Sequence, residues 1–430
     1  MKAVILLAGE GKRLRPITST RPKPMIPLNG KPLLEHTVIG LNKAGINHFI
    51  FVVGYKESLI KNHFKAVSSK LNIKIEYVTQ DRYLGTAHAV NFAKEFIEDE
   101  AFLIMYGDIF VDPDAYDTIL KSFNAEKYDG LITLYEVNNP QDYGVISLNS
   151  NGLVERIVEK PPKELKMGNL INAGIYIFSS LIFKAIEKTE KSIRNEYEFT
   201  DSIEILINQL NGNILGIAIS NHFWNDIGLP WQLFEANNFL LDNLSPQILG
   251  TVEKDAQTSG NVYIGKRTII KSGSDIQGPC FIGKDCIIGP KALIGPYSFI
   301  DKNCQIGRSE VKYSLIFSDS LISDFNYIGD SIICEGVRLG SGTKISNSRS
   351  DNKDVKMMIK GKLIDSGRQK LGAILGAKSQ TGDNVSITCG KKIGVNSKIG
   401  DETLVNEDVL SNTFYYQTKN GEILKKNISL

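Results

Sequence analysis

The sequence Leu6-Leu7-Ala8-Gly9-Glu10-Gly11-Lys12-Arg13-Leu14-Arg15-Pro16, followed by Thr20-Arg21-Pro22-Lys23-Pro24-Met25, sets the reading of the whole chain. It leaves an apolar run, Ala3 to Leu7, that reads as a buried first strand. Glycines lack a Cβ, so Gly9 and Gly11 let a backbone approach an anion closely. Arg13, Arg15 and Lys23 supply fixed positive charge within a few residues. A glycine-rich loop with cations after a first strand points to a phosphate site. A tight strand-to-helix turn with solvated cations is the plainer alternative.

The 430 residues are too many for one ordinary core, so two domains are expected. Fifty basic against 48 acidic residues leave a net charge of +2. That provides no general field for nucleic acid, so phosphate recognition has to be local. No apolar run is long enough for a membrane span, and Met1-Lys2 leads into a strand without a secretory h-region. Cys280, Cys286, Cys304, Cys334 and Cys389 form no C-x-x-C pair. Neither a zinc site nor a disulfide framework follows, and a reducing cytoplasm is the expected location.

Up to about residue 240, strand-like and helix-like stretches alternate. The strand candidates are Ala3–Leu7, Phe49–Val53, Ile73–Val78, Phe102–Met105, Gly130–Tyr135 and Ala173–Phe178. Such alternation predicts an α/β domain with a mostly parallel, Rossmann-like sheet covered on both faces, and ligands beyond the strands' carboxyl ends. The loop is not G-x-G-x-x-G and no acidic residue ends the next strand, which disfavours a dinucleotide oxidoreductase. Further polar clusters fall at strand ends. Gln80 to His88 could read a base edge or be a plain loop. Asp108 after Tyr106-Gly107 could hold a hard divalent cation or cap the next turn. Glu159-Lys160-Pro161 with Asn172-Ala173-Gly174 suits sugar hydroxyls and a phosphate. Trp224-Asn225-Asp226-Ile227-Gly228 offers a second aspartate.

From about residue 252 the period becomes six. Ile264, Ile270, Ile276, Ile282, Ile288, Ile294, Ile300 and Ile306 recur without a miss, with small residues such as Thr268, Ser274, Cys280 and Cys286 four positions after each. This hexapeptide repeat predicts a parallel β-helix in which each coil buries its core only by stacking on the next. Cys280, Cys286 and Cys304 then point inward as small residues. The phase slips near Arg308–Leu315. Ser346–Lys370 reads as an excursion from the repeat. The expected layout is residues 1–240, a linker 241–251, the β-helix 252–410 and a tail 411–430 whose fate the sequence leaves open.

Residues 1 to about 240 resemble the sugar-1-phosphate nucleotidylyltransferase family. Leu7 through Thr18 match L-A-G-x-G-x-R-L-x-P-x-T, and Pro22-Lys23, the glutamine before G-T-A, G-D, E-K-P, N-A-G and W-x-D-x-G follow in the family's order. The resemblance implies that Gly9, Gly11 and Arg13 hold a nucleoside triphosphate and that Lys23 neutralises charge at the α-phosphate. It implies that Gln80, Gly85 and Thr86 read a pyrimidine, and that Asp108 and Asp226 hold Mg²⁺. Gly144, Glu159 and Asn172 would bind the hexose and Lys160 its phosphate. The implied reaction joins UTP or dTTP to a sugar 1-phosphate, giving UDP- or dTDP-glucose or UDP-N-acetylglucosamine, with pyrophosphate released. Phosphoryl transfer needs positioning and charge neutralisation more than covalent chemistry.

The second half resembles the left-handed β-helix acyltransferase domain of bifunctional uridylyltransferase/glucosamine-1-phosphate acetyltransferases in their archaeal form. Tyr327-Ile328-Gly329-Asp330-Ser331 matches Y-x-G-D-[AS], and Lys312, Asn347, Lys353 and Lys356 match further family positions. Two positions depart. The family's histidine three residues before the tyrosine is Asp324 here, and an Arg-Pro reads Gly295-Pro296. A histidine near pKa ~6.5 suits deprotonating an amine, whereas an ordinary aspartate near ~3.9 is a far weaker base. The expectation is a scaffold forming a homotrimer or a dimer of trimers. The alternative is a second activity, with acetyl-CoA as co-substrate. A non-catalytic regulatory or scaffold homologue is the rival from another class, but the retained Arg13, Lys23, Asp108 and Asp226 count against it.

Overall fold

A computed structural model describes residues 1–162 and 167–428. These residues divide into two compact units. One comprises Met1–Glu10, Pro22–Met25 and Leu33–Ile227, and the other Gly11–Arg21, Ile26–Pro32 and Gly228–Leu430.

The first unit is built on a nine-stranded sheet. Ala3–Leu6 lies parallel between Phe102–Tyr106 and His48–Val53, and Lys74–Thr79 extends that side, also in parallel. The sheet turns antiparallel at Leu170–Phe178, which pairs with Phe102–Tyr106 on one edge and Gly130–Glu136 on the other. The sheet is therefore parallel through its first half and mixed beyond it. Alternate residues of the first strand serve opposite faces, as the strand period of two requires. Ala3 and Ile5 join a core with Leu34, Val38, Ile60, Phe64 and Ile119, from the helices Leu33–Lys43, Glu57–Leu71 and Asp114–Ser122. Val4 joins Ala87, Val90, Ile182, Phe199 and Ile203 on the other face. Layers on both sides make the strands fully apolar, which is why they stood out in the sequence.

In the second unit short strands stack into three parallel sheets, the walls of a left-handed β-helix. Ile264 pairs with Ile282 and Ile282 with Ile300, one coil to the next. Ile270, Ile276, Ile288 and Ile294 share one buried core with Cys280, Cys286 and Cys304, as the period implies. Burial lifts the Cys280 thiol to about 12. The phase slip has a register origin: Ile300 pairs with Ile316 and Ile306 with Ile322, so that coil is two residues short. The excursion contains an antiparallel hairpin, Lys356–Ile359 with Lys362–Asp365, whose Met357 and Ile359 are buried. The tail forms strands as well. Thr413–Gln417 continues one wall beyond Lys398–Ile399 and pairs back with Ile423–Asn427. Its Tyr415 is fully buried in the β-helix core, so the tail closes the last coil. The helix Gln232–Asp242 also belongs to this unit: Asn237 Nδ2 donates to the Tyr297 carbonyl at 3.2 Å and Tyr297 donates to Asp242 Oδ1 at 2.9 Å.

Candidate active site

In the first unit Gly9, Gln80 and Asp108 each follow a strand of the parallel half of the sheet, Ala3–Leu6, Lys74–Thr79 and Phe102–Tyr106. Gly9 follows the first strand, and a Cβ built there meets nothing within 4 Å. Nothing in the fold demands glycine at that position, so the space beside it is available to a ligand. Gly107 differs: a Cβ there would lie 2.5 Å from Leu7 Cδ2 and 2.6 Å from the Leu6 carbonyl oxygen. Packing alone accounts for that glycine.

Lys23 is buried, its side chain 8% exposed, and its Nζ donates to Asp108 Oδ2 at 2.9 Å. Asp108 precedes the strand Ile109–Val111, which pairs antiparallel with Trp224–Asp226 so that Asp226 faces Ile109. The Ile227 N–H donates to the Asp108 carbonyl at 2.9 Å and extends that ladder. The two aspartates thus occupy neighbouring positions on paired strands. Trp224 sets this register by donating Nε1–H to the Ala173 carbonyl at 2.8 Å and stacking on Tyr135. Mg²⁺ takes one or two protein carboxylates and fills its shell with water and phosphate oxygens, and these two residues fit that requirement. Among the described residues, no group of three or more His, Cys, Asp and Glu converges as a closed metal cage would require.

A second cluster forms around the hexose candidates. Gly144 lies opposite Glu159 in one strand pair, and Ile171, next to Asn172, pairs with Val145 in the other. A Cβ at Gly144 would sit 3.0 Å from Glu159 Oε2 and 3.7 Å from Asn172 Cβ, so the three residues are immediate neighbours. Burial pushes the Glu159 carboxyl above its usual range, against the pull of Arg194 and Lys160. Arg194 lies 3.6 Å from Glu159 and 2.9 Å from Glu198. Asn172 donates Nδ2–H to the Tyr176 hydroxyl at 2.7 Å and accepts from Gly174 N at 3.0 Å. Tyr176 in turn bonds Tyr106, whose hydroxyl also reaches Thr86, so a buried tyrosine pair links the Gln80–Thr86 turn to Asn172. Tyr106 and Tyr176 stand at the edges of the Asp108 and Asn172 clusters without a role read for them, and Arg194 and Glu198 lie outside every motif. The density of charge in Arg194-Asn195-Glu196-Tyr197-Glu198, just before a helix, was the available signal for the last two.

The Gln80 turn divides its labour. Gln80 is buried and its Nε2 lies 3.2 Å from His88 Nδ1. Thr86 Oγ1 accepts from Phe199 N at 2.9 Å. Gly85 has φ +120°, and a Cβ there would fall 2.4 Å from the Tyr197 carbonyl oxygen. That glycine is required by the fold. Lys160 sits exposed at a left-handed turn, φ 48°, its N–H bonded to the Tyr143 carbonyl.

In the second unit, Gly11 adopts φ 63° and ψ 38° at the start of a short 3₁₀ turn, Lys12–Leu14, and Thr18 Oγ1 donates to its carbonyl at 2.9 Å. Arg13 is exposed and passes over Gly228, where a Cβ would lie 3.0 Å from its Nη2. The glycine that closes W-x-D-x-G therefore makes room for the arginine of the opening loop.

The acyltransferase-like positions only partly assemble. Lys312 bonds Glu310 Oε1 at 2.6 Å and lies over the Tyr327 ring. Asn347 donates to Asp330 Oδ2 at 2.7 Å. A Cβ at Gly329 would lie 2.7 Å from Asn347 Nδ2, which explains the glycine of that motif. Asp324 is an exposed corner residue whose Oδ1 accepts from Arg308 N at 2.8 Å, capping the neighbouring coil. Lys353 is exposed on the excursion, and Lys356 faces Asp365 at 3.8 Å across its own hairpin.

A sheet whose loops set a buried lysine against an aspartate marks a class, and the chain belongs to the nucleotidyl transferase family, whose model matches residues 2–243. Residues 276–391 match a family described as the GMPPB C-terminal domain. Over its length the chain is 40% identical to "Bifunctional protein GlmU" of Methanococcus maripaludis, across 427 residues, 99% of this chain and 100% of the relative. It is 41% identical over 425 residues to the "Bifunctional sugar-1-phosphate nucleotidylyltransferase/acetyltransferase" of Sulfurisphaera tokodaii, covering 96% of this chain and 100% of that one. A crystal structure of UDP-glucose pyrophosphorylase with UDP-glucose aligns at a TM-score of 0.52 and 24% identity, over 56% of this chain and 98% of that chain. This last likeness concerns the fold alone.

Proposed function

We propose that the chain transfers a nucleotidylyl group from UTP or dTTP to a sugar 1-phosphate, releasing pyrophosphate and forming an NDP-sugar. The observation that carries this is the buried Lys23 held 2.9 Å from Asp108, with Asp226 on the paired strand. A buried cation on one carboxylate, with a second aspartate on the paired strand, suits a reaction whose barrier is charge on phosphate oxygens. Lys23 neutralises charge building at the α-phosphate as the sugar phosphate attacks. Gly9 and Gly11 give the triphosphate access and Arg13 binds it. Asp108 and Asp226 would hold Mg²⁺, which supplies further charge neutralisation between phosphates. Gln80, Gly85 and Thr86 frame the pyrimidine, Gly85 by setting the turn. Gly144, Glu159 and Asn172 receive the hexose and Lys160 its phosphate. The attacking oxygen is already anionic, so no separate base is needed.

Residues 1–240 carry this reaction in our reading, and 252–410 form a scaffold that brings chains together as a trimer or a dimer of trimers. Native mass measurement against the 47.6 kDa chain tests the assembly. Asp324, engaged as a corner cap, disfavours acetyl transfer from acetyl-CoA at the second half. The deciding experiment mixes UTP or dTTP with glucose, N-acetylglucosamine, galactose and mannose 1-phosphates and follows pyrophosphate. Release with one pair identifies base and sugar. No release from any pair refutes the reaction.

A further inference from the structure

Arg21 lies two residues before Lys23, yet its side chain is engaged inside the β-helix unit. Its Nη2 is 2.5 Å from Glu335 Oε2, and the two side chains are only 17% and 22% exposed. Its guanidinium also lies over the ring of Phe317, 5.2 Å from the centroid, and Phe317 is fully buried. The ion pair is close without being a well-aligned hydrogen bond, since Arg21 Nε and Glu335 Oε2 both lack hydrogen-bond partners. Attraction of charge and ring face, rather than a bidentate fork, makes the contact.

The surroundings are rigid. Phe281 pairs in register with Phe299, and Phe317 follows in the next coil, so three aromatic rings run up one wall. Gly30, from the other short segment of this unit, presses on the same ladder: a Cβ there would lie 2.7 Å from Phe281 Cζ. Glu335 follows the strand Ile332–Ile333, whose both residues are buried, so its charge is carried on a fixed element. The segment Gly11–Arg21 contains the loop turn with Arg13, braced by Leu14 N to the Gly11 carbonyl at 2.9 Å and Ser19 N to the Pro16 carbonyl at 3.1 Å.

We propose that Arg21 is a positioning residue for nucleotidylyl transfer: paired with Glu335 and resting on Phe317, it pins Gly11–Arg21 to the β-helix wall and so fixes Arg13. This rests on Arg13 binding the triphosphate, as argued above. The sequence alone could not have shown this pairing, because Arg21 and Glu335 are far apart in the chain and the stretch around Arg21 carries no sign of its partner.

The test compares full-length R21A, E335Q and the exchange R21E/E335R. Misplacing a binding group by an ångström can cost on the order of 100-fold, so kcat in R21A and E335Q should fall about tenfold or more. The sugar 1-phosphate KM should stay put and the exchanged pair should recover most of the rate. A staple that serves only stability would lower the melting temperature and leave kcat per folded molecule intact, which would overturn the proposal. Hydrogen exchange supplies a readout that needs no activity: E335Q should speed exchange at the Leu14 and Ser19 amides. Unchanged exchange there refutes the clamp. A wild-type chain that releases no pyrophosphate while E335Q still loosens those amides would instead refute the assigned reaction and leave the clamp standing.

Discussion

Replacing Gly9 by alanine separates a ligand-facing glycine from a fold-determined one. The added methyl meets no atom within 4 Å, and the φ of Gly9 lies outside the left-handed region. Folding should therefore be nearly indifferent, within about 0.5 kcal/mol, or gain about 0.4–1 kcal/mol from a less flexible unfolded chain. Activity should suffer, because the methyl enters the space through which the triphosphate approaches the backbone. An ångström of displacement at a reacting centre costs on the order of 100-fold, equivalent to about 2.7 kcal/mol of barrier. Gly85→Ala is the internal contrast. Its methyl would fall 2.4 Å from the Tyr197 carbonyl oxygen at φ +120°, so it should destabilise, by about 1–3 kcal/mol for the backbone conformation before any clash is counted. Pyrophosphate release gives kcat/KM and thermal unfolding gives stability. The reasoning fails if G9A keeps wild-type kcat/KM, or if G9A loses activity only in proportion to lost fold.

Three further outcomes are expected. Burial raises the Glu159 carboxyl's pKa in the folded protein, so the stability this group contributes is complete below the ordinary carboxylate range and is lost as pH rises through the raised value. E159Q should then melt higher than wild type near neutral pH, with the gap closing on acidification, while the hexose phosphate binds worse; equal melting across that range contradicts the burial account. D108N should raise the Mg²⁺ concentration for half-maximal rate about tenfold or more, the equivalent of about 1.4 kcal/mol of binding, and an unchanged Mg²⁺ dependence removes Asp108 from the metal site. Acetyl-CoA with glucosamine 1-phosphate should release little free thiol, and turnover matching nucleotidylyl transfer would overturn the scaffold reading of the β-helix.

The fold was legible where one physical demand repeats. Each β-helix coil needs an inward apolar residue every sixth position, so Ile264 through Ile306 announced it directly, and their complete burial follows. The strands Ala3–Leu6, His48–Val53 and Phe102–Tyr106 are covered on both faces and read as apolar runs for the same reason. Gly144–Leu148, Val154–Glu159 and Ile214–Ala218 escaped because they carry polar or weakly apolar faces and meet their partners through antiparallel returns or a distant parallel pairing. The tail escaped because its fully buried apolar contact is Tyr415, with Ile423 only partly buried against the core, and that position depends on where the last coil ends.

The candidate site reads in the sequence as a set of motifs but not as a division of labour. Gly9, Gly85 and Gly228 look alike in sequence, each a glycine beside functional residues. Their surroundings differ: open space at Gly9, the Tyr197 backbone at Gly85, and the Arg13 guanidinium at Gly228. Only the first is left free of any duty to the fold, as the proposed triphosphate site requires. The second is a glycine for the chain's own backbone, and the third serves another side chain of the site. Asp324 makes the same point in reverse, since the position where the family carries a base holds a carboxylate already spent on Arg308 N. Restoring histidine there would remove a corner cap as it added a base. Substitution at a motif position therefore tests catalysis only where the structure shows that position free of a structural duty, which is why Gly9 is the sharper probe of this site than any other glycine in its motifs.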